Sequence, residues 1–86
     1  RGFFGAHGIT MEDGFTDVSE PEANFKRPLV RMCRQVVALL DGTKWGRAGV
    51  ASFASVDDAD IVVTDAAAPA PMVSQVRGRS VDVVVV

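Results

Sequence analysis

Val36-Val37-Ala38-Leu39-Leu40 is an unbroken apolar run, and it stops at Asp41-Gly42-Thr43-Lys44-Trp45-Gly46. Five consecutive apolar residues suit a strand buried on both faces, as in a parallel sheet with helices above and below. In such sheets the ligand crevice lies at the carboxyl ends of the strands. An acid, a hydroxyl and an amine therefore arrive together where an open α/β protein keeps its binding site.

The flanking sequence fits the same architecture. Gly2 to Ala6 reads as the end of a strand. Residues 7 to 18 hold breaks at Gly8, Asp13-Gly14 and Asp17, and are expected to form a loop. Ser19-Glu20-Pro21-Glu22 is a helix start, with Ser19 as cap, Glu22 three residues on as in a capping box, and Pro21 in the first turn. The helix is expected over about 20–34. Phe25, Leu29, Met32, Cys33 and Val36 form its apolar stripe. Lys26, Arg27, Arg31 and Arg34 decorate its other faces, and Pro28 is expected to kink it near Asn24.

After Gly46 the pattern weakens. Val50 to Phe53 reads as a short strand or loop, and Val56 to Asp60 as a polar, solvated connector. Ile61 to Thr64 is a buried strand ending at Asp65. Pro69 to Val76 is a short helix stopped by Gly78, and Val81 to Val86 is a last strand. Strands alternating with helices predict an α/β chain with an open parallel sheet and right-handed crossovers.

Composition narrows the function classes. Eighty-six residues make at most one domain, with a marginal core unless the chain associates. The net charge of −2 carries no basic excess for a phosphate backbone. Cys33 is the single cysteine and His7 the single histidine, so neither a disulfide framework nor a metal site is expected, and no cofactor is implied. No apolar stretch reaches the roughly 18 residues of a membrane span. Arg1 to Gly5 lacks a charged-then-apolar leader layout, and a cytoplasmic location is the default. The chain opens and closes inside what read as strands, so a fragment of a longer protein is expected, with the remainder on the N-terminal side. The Val81–Val86 tail would leave a sticky edge if unpaired, so self-association is expected.

Four segments carry a resemblance: Gly5-Ala6-His7-Gly8-Ile9 followed by Gly14-Phe15-Thr16, then Glu22-Ala23 with Lys26-Arg27, then Asp41 to Gly46, then Asp60 to Asp65. In this order and spacing the chain resembles the C-terminal half of the sensor domain of DeoR/GlpR-type bacterial transcription regulators. The resemblance implies a fold similar to ribose-phosphate isomerases and CoA transferases. It also implies a homo-oligomer that binds a phosphorylated sugar effector. Operator DNA would be bound only through an N-terminal winged helix-turn-helix that is absent here. The first half of the sensor domain, with its phosphate loop, is absent as well. Pro28 stands where the family has an ordinary helix former, and Thr43 where Ser is common.

Candidate ligand-binding residues follow. Lys44 is the first choice, as a cation at the mouth of the sheet. His7 follows a strand end among small residues, in the Gly5-Ala6 turn, and is suited to a sugar hydroxyl. Asp41 either fixes its turn or touches ligand. Glu22 either completes the helix cap or, as the resemblance implies, lies near the pocket with Lys26. Asp65 either lines the crevice or caps a turn. The rival reading is a sugar-phosphate isomerase-like enzyme, with a carboxylate and a lysine moving a proton beside a carbonyl. His7 stands where those enzymes place an aspartate after Gly-Ala, and residues 10 to 18 have no counterpart of their Lys-Gly-Gly-Gly-Gly loop.

Overall fold

A computed structural model describes all residues 1–86. Its elements in chain order are β1 (Gly2–Gly5), β2 (Gly8–Thr10), β3 (Gly14–Asp17), α1 (Glu20–Met32), β4 (Val36–Leu39), β5 (Ala51–Ala54), β6 (Ile61–Thr64), α2 (Ala70–Arg77) and β7 (Asp82–Val85). Four strands form a parallel sheet in the order β1-β4-β6-β7, and β2-β3-β5 form a small antiparallel sheet.

The apolar run Val36–Leu40 becomes β4 in the middle of the parallel sheet, as its composition predicts. The span expected to be a loop, residues 7 to 18, instead holds the β2–β3 hairpin. Its turn is residues 11–13, with the Asp13 N–H donating to Thr10 Oγ1, and Gly14 opens β3 at φ +70. Ile9 and Phe15 pair across the hairpin and are both almost fully buried, which supplies the apolar contact a marginal hairpin needs. The ambiguous segment after Val50 is β5, paired to β3.

In a parallel ladder, register partners share a face. Phe4, Ala38, Val62 and Val83 form one cross-sheet row and are all buried. They join one core with Val30 of α1, Val73 and Val76 of α2, and Ile9, Phe15 and Phe53 of the small sheet. Both helices and the small sheet therefore lie on the same face. The rows pointing the other way are Phe3, Val37, Ile61 and Asp82, and Gly5, Leu39, Val63 and Val84. Phe3 is 61% exposed, Leu39 41% and Val84 46%, whereas Val37, in the middle of this face, is buried though outside the core cluster. The expectation of helices above and below is thus met on one face only.

The helix α1 also departs from expectation. Its cap is correct, with Ser19 Oγ accepting from Glu22 N at 3.3 Å, but no return bond from the Glu22 side chain completes the box. The helix runs through Pro28 to Met32. Ala23 and Val30 are its buried residues, whereas Phe25 and Met32 are more than two-thirds exposed. Of the expected stripe, Phe25, Leu29 and Met32 lie one step around the helix from the face that packs, and Val36 belongs to β4. Lys26, Val30 and Cys33 turn inward: Lys26 Nζ reaches Gly5 O, and Cys33 Sγ packs against Gly2. On the opposite flank Arg27 Nε donates to Ser52 O of β5.

The acidic connector is likewise built in. Asp60 Oδ2 accepts from Val36 N at 2.8 Å and so anchors the start of β4. Asp58 accepts from Ser55 N, and Asp57 pairs with Arg79.

Candidate functional site at the carboxyl ends of the parallel strands

At the mouth of β4, Leu40 donates to Val63 O, and the chain then breaks into a single 3₁₀ turn, Gly42–Lys44. Asp41 caps that turn. Its Oδ1 accepts from Thr43 N at 2.9 Å and from the Thr43 hydroxyl. These two bonds, hydroxyl first, hold the Asp41 carboxyl below its ordinary pKa, with Lys44 and Arg47 adding positive charge nearby. Asp41 is an exposed, fixed anion.

The turn is tied to the neighbouring strand from below. Asp65 Oδ1 accepts from both Gly42 N (3.0 Å) and Ala67 N (2.9 Å). Gly42 lies so close to this second turn that a Cβ would stand 2.3 Å from Ala68 N. Trp45 then plunges into the core. Its Nε1 donates to Thr64 Oγ1 at 3.0 Å, and its backbone bridges Ile9 while Gly46 N donates to Ile9 O. The loop from Asp41 to Gly46 is thus held at both ends, by Asp65 and by Trp45. Lys44 lies between the two anchors, partly exposed, and its ammonium makes no ion pair or hydrogen bond within the chain.

At the mouth of β1, Gly5 is exposed and pairs in register with Leu39. His7, two residues on, is exposed. Its backbone N–H is held by Thr16 O, and its ring has no partner. Lys26 is committed to partners within the chain. Its Nζ lies 2.5 Å from Asp17 Oδ2, donates to Gly5 O at 2.8 Å, and stands 4.9 Å from the centre of the Phe53 ring. Asp17 is nearly buried, and its Oδ2 has this ion pair but no directed hydrogen bond. Burial works to raise the Asp17 pKa. The Lys26 ammonium, the Val18 amide and Glu22 outweigh it, and the carboxyl is held below its ordinary value. Glu22 is exposed in the first turn of α1. Since Lys26 lies over Gly5 and Cys33 over Gly2, that turn projects past the end of β1.

An open groove of about 350 Å³ runs across the ends of β4, β6 and β7, lined by Leu39, Leu40, Asp41, Val63, Thr64, Asp65 and Val86. Of the sequence candidates Asp41 and Asp65 line it. Gly5, His7, Lys26 and Glu22 gather at the β1 end instead, with Lys44 in the anchored loop. Asp65, expected at the crevice or in a turn cap, lines the groove and anchors the Asp41 turn. Asp17, which immobilises Lys26, was not among the candidates, because a loop reading of residues 7 to 18 gave no signal for it.

The chain is similar to known transcription regulators. A family model described as the DeoR C terminal sensor domain matches residues 1–66. The chain is 41% identical over 63 residues to the HTH-type transcriptional regulator GolR of Listeria innocua, covering 73% of this chain and 25% of that protein. It is 32% identical over 82 residues to the HTH-type transcriptional regulator GlpR of Haloferax volcanii, covering 95% and 32%. It is 33% identical over 66 residues to the uncharacterized HTH-type transcriptional regulator FruR of Bacillus subtilis, covering 77% and 26%. The chain thus spans a quarter to a third of the length of these relatives. A matched family model over most of the chain, on a parallel α/β sheet with a polar crevice, leads to one assignment: the chain belongs to the DeoR C-terminal sensor domain family.

Proposed function

We propose that residues 1–86 are the C-terminal part of the effector-sensing domain of a DNA-binding repressor of sugar metabolism, that they take part in its oligomerisation, and that the effector is a phosphorylated sugar. The observation that carries this is the free ammonium of Lys44, held between the Asp65 and Trp45 anchors at the carboxyl end of β4. A fixed, unpaired cation suits an anionic group, and the exposed Asp41 carboxylate beside it suits sugar hydroxyls. His7 and Gly5 add a donor and an open backbone at the neighbouring strand end. Lys26 and Glu22 border the same opening. Regulation requires that the effector bind two states of the regulator unequally, and Lys44 is the residue assigned to make that difference. Operator DNA would be met by a separate winged helix-turn-helix, since this chain has no basic excess.

The isomerase reading is less well supported. A general base works best with its pKa near the working pH. Asp41, the carboxylate at the crevice, is displaced the other way. The test is a calorimetric titration of the full-length regulator with a panel of sugar phosphates. Saturable binding of one of them without turnover supports the sensor. Turnover supports the enzyme, and no binding by any of them contradicts both.

A further inference from the structure

Most cationic side chains of this chain have a partner within it. Arg1 donates to Gln35, Lys26 pairs with Asp17, Arg27 with Glu20, and Arg79 with Asp57, while Arg77 donates to Val83 O. The exceptions are Arg31, Arg34, Lys44 and Arg47. Arg31 and Arg34 stand between the end of α1 and the start of β4, at the amino ends of the strands. Lys44 and Arg47 are left at the carboxyl ends, on one loop.

What separates Arg47 from an ordinary solvated arginine is its backbone. The chain turns at Gly46, where φ is +82 and the N–H donates to Ile9 O at 2.9 Å. Gly49 N then donates to Thr16 Oγ1 at 2.7 Å, and Val50 N to Asp17 O at 2.8 Å. Arg47 lies between these anchors with its carbonyl pressed on the β2–β3 hairpin: a Cβ on Gly8 would stand 2.1 Å from Arg47 O. Thr16 also donates through Oγ1 to Gly8 O, and its own carbonyl holds His7 N. The same hairpin residues therefore fix both Arg47 and His7. The loop runs from Lys44, at the mouth of β4, to Arg47, packed on the residue that follows His7 at the mouth of β1.

The carboxylates of the crevice do not occupy these cations. Asp41 is bonded by Thr43, and Asp65 by Gly42 and Ala67. Lys44 and Arg47 are near enough to Asp41 to help hold its carboxyl below the ordinary value, yet neither forms an ion pair with it. A guanidinium presents its donors as a planar fork that matches the edge of a phosphate or a carboxylate. An unpartnered fork on a pinned backbone loses less freedom on binding than one on a mobile loop.

We propose that Arg47 is a second anion-binding residue of the effector site, and that the effector carries two anionic groups, a phosphate for Lys44 and a second phosphate or a carboxylate for Arg47. This rests on the sensor reading above and narrows its ligand class to a sugar bisphosphate or a phosphorylated sugar acid. Asp41, close to both cations, faces the hydroxyls of the carbons between. A sugar monophosphate engages Lys44 and leaves Arg47 to solvent, whereas a second anionic group gains charge-assisted bonds at a position already fixed.

The test is calorimetric titration of the full-length regulator with matched probes: fructose 6-phosphate against fructose 1,6-bisphosphate, and glucose 6-phosphate against 6-phosphogluconate. The first pair reads a second phosphate and the second pair a carboxylate. Wild type is compared with Arg47→Gln, Arg47→Lys and Lys44→Ala. The expected result is that a doubly anionic probe binds about 10-fold tighter than its matched monophosphate. Arg47→Gln should erase that preference and leave monophosphate affinity unchanged, Arg47→Lys should keep part of it, and Lys44→Ala should weaken both members of the pair. Binding of a monophosphate with no gain from the second anionic group would overturn the proposal and leave the sensor reading standing. A preference that survives Arg47→Gln would overturn it too, because the second anion would then lie elsewhere. No binding by any probe would overturn the proposal and the sensor reading together. The Arg47 side chain bonds to nothing in the chain, so the thermal midpoint of each Arg47 variant should match wild type.

Discussion

Lys26 Nζ lies 2.5 Å from Asp17 Oδ2, and this pair joins helix α1 to the small antiparallel sheet. The same ammonium donates to Gly5 O, so one side chain ties three elements together at the mouth of β1. Removing a partner from a buried pair leaves an uncompensated charge. Lys26→Met is expected to cost about 2–4 kcal/mol, at or below the 3–5 kcal/mol of a fully buried pair because Lys26 is a quarter exposed. Adding Asp17→Asn to Lys26→Met is expected to recover part of that loss. Urea unfolding of the two variants measures both, and a double variant no more stable than the single would contradict the pairing.

Acid should act through Asp17 and Asp41. Both carboxyls are held below the ordinary value of 3.8 in the folded chain. Each then binds fewer protons folded than unfolded around that value, so its stabilisation is complete above it and is lost as pH falls through the folded pKa. Stability is expected to stay level from neutral pH to about 5 and to decline from about 4 downward. Asp17→Asn should flatten the decline. A variant with the wild-type slope would show that Asp17 titrates normally.

Trp45 is held by a single buried hydrogen bond from Nε1 to Thr64 Oγ1. Thr64→Val keeps the shape and strands the indole N–H, at a cost of about 1–3 kcal/mol. The loop carrying Lys44 should loosen with it. Hydrogen exchange at Gly46, whose amide bonds to Ile9 O, reads that change directly and should quicken in the variant.

Gly42 has no room for a side chain. A Cβ would meet Ala68 N at 2.3 Å and Ala67 C at 2.4 Å, both backbone atoms that cannot swing away. Gly42→Ala is expected to break the Asp65 clasp and to lower the thermal midpoint by several degrees. An unchanged midpoint would mean the two turns are not packed as described.

Much of this architecture was legible in the sequence, and the misses have physical causes. The run Val36–Leu40 and the cap at Ser19 announced β4 and α1, because each is a local signal. The β2–β3 hairpin was hidden because its strands are short and its burial comes from pairing Ile9 with Phe15, a contact between residues six apart. Asp13-Gly14 was a hairpin turn signal read as a mere break. The Phe25–Met32 stripe was found, but periodicity shows that a face is apolar and not what covers it. Asp57, Asp58 and Asp60 read as a solvated run and are indeed exposed, but the sequence did not show that each also has a separate partner, two of them more than 20 residues away. At the site, Lys44 and Asp41 were legible from their place after an apolar strand. The immobilisation of Lys26 was not, since Asp17 belongs to a strand the sequence did not reveal.

The most direct test of the account is the affinity of the full-length regulator for the proposed sugar phosphate effector with and without Lys44→Ala. Loss of one charge-assisted contact to phosphate amounts to about 1.5–3 kcal/mol, which is roughly 10- to 100-fold in Kd. Because the Lys44 ammonium bonds to nothing in the chain, the thermal midpoint without ligand should not move. Weaker binding at an unchanged midpoint is the predicted result. Unchanged affinity for a sugar phosphate that the wild type binds would contradict the placement of the effector at the end of β4.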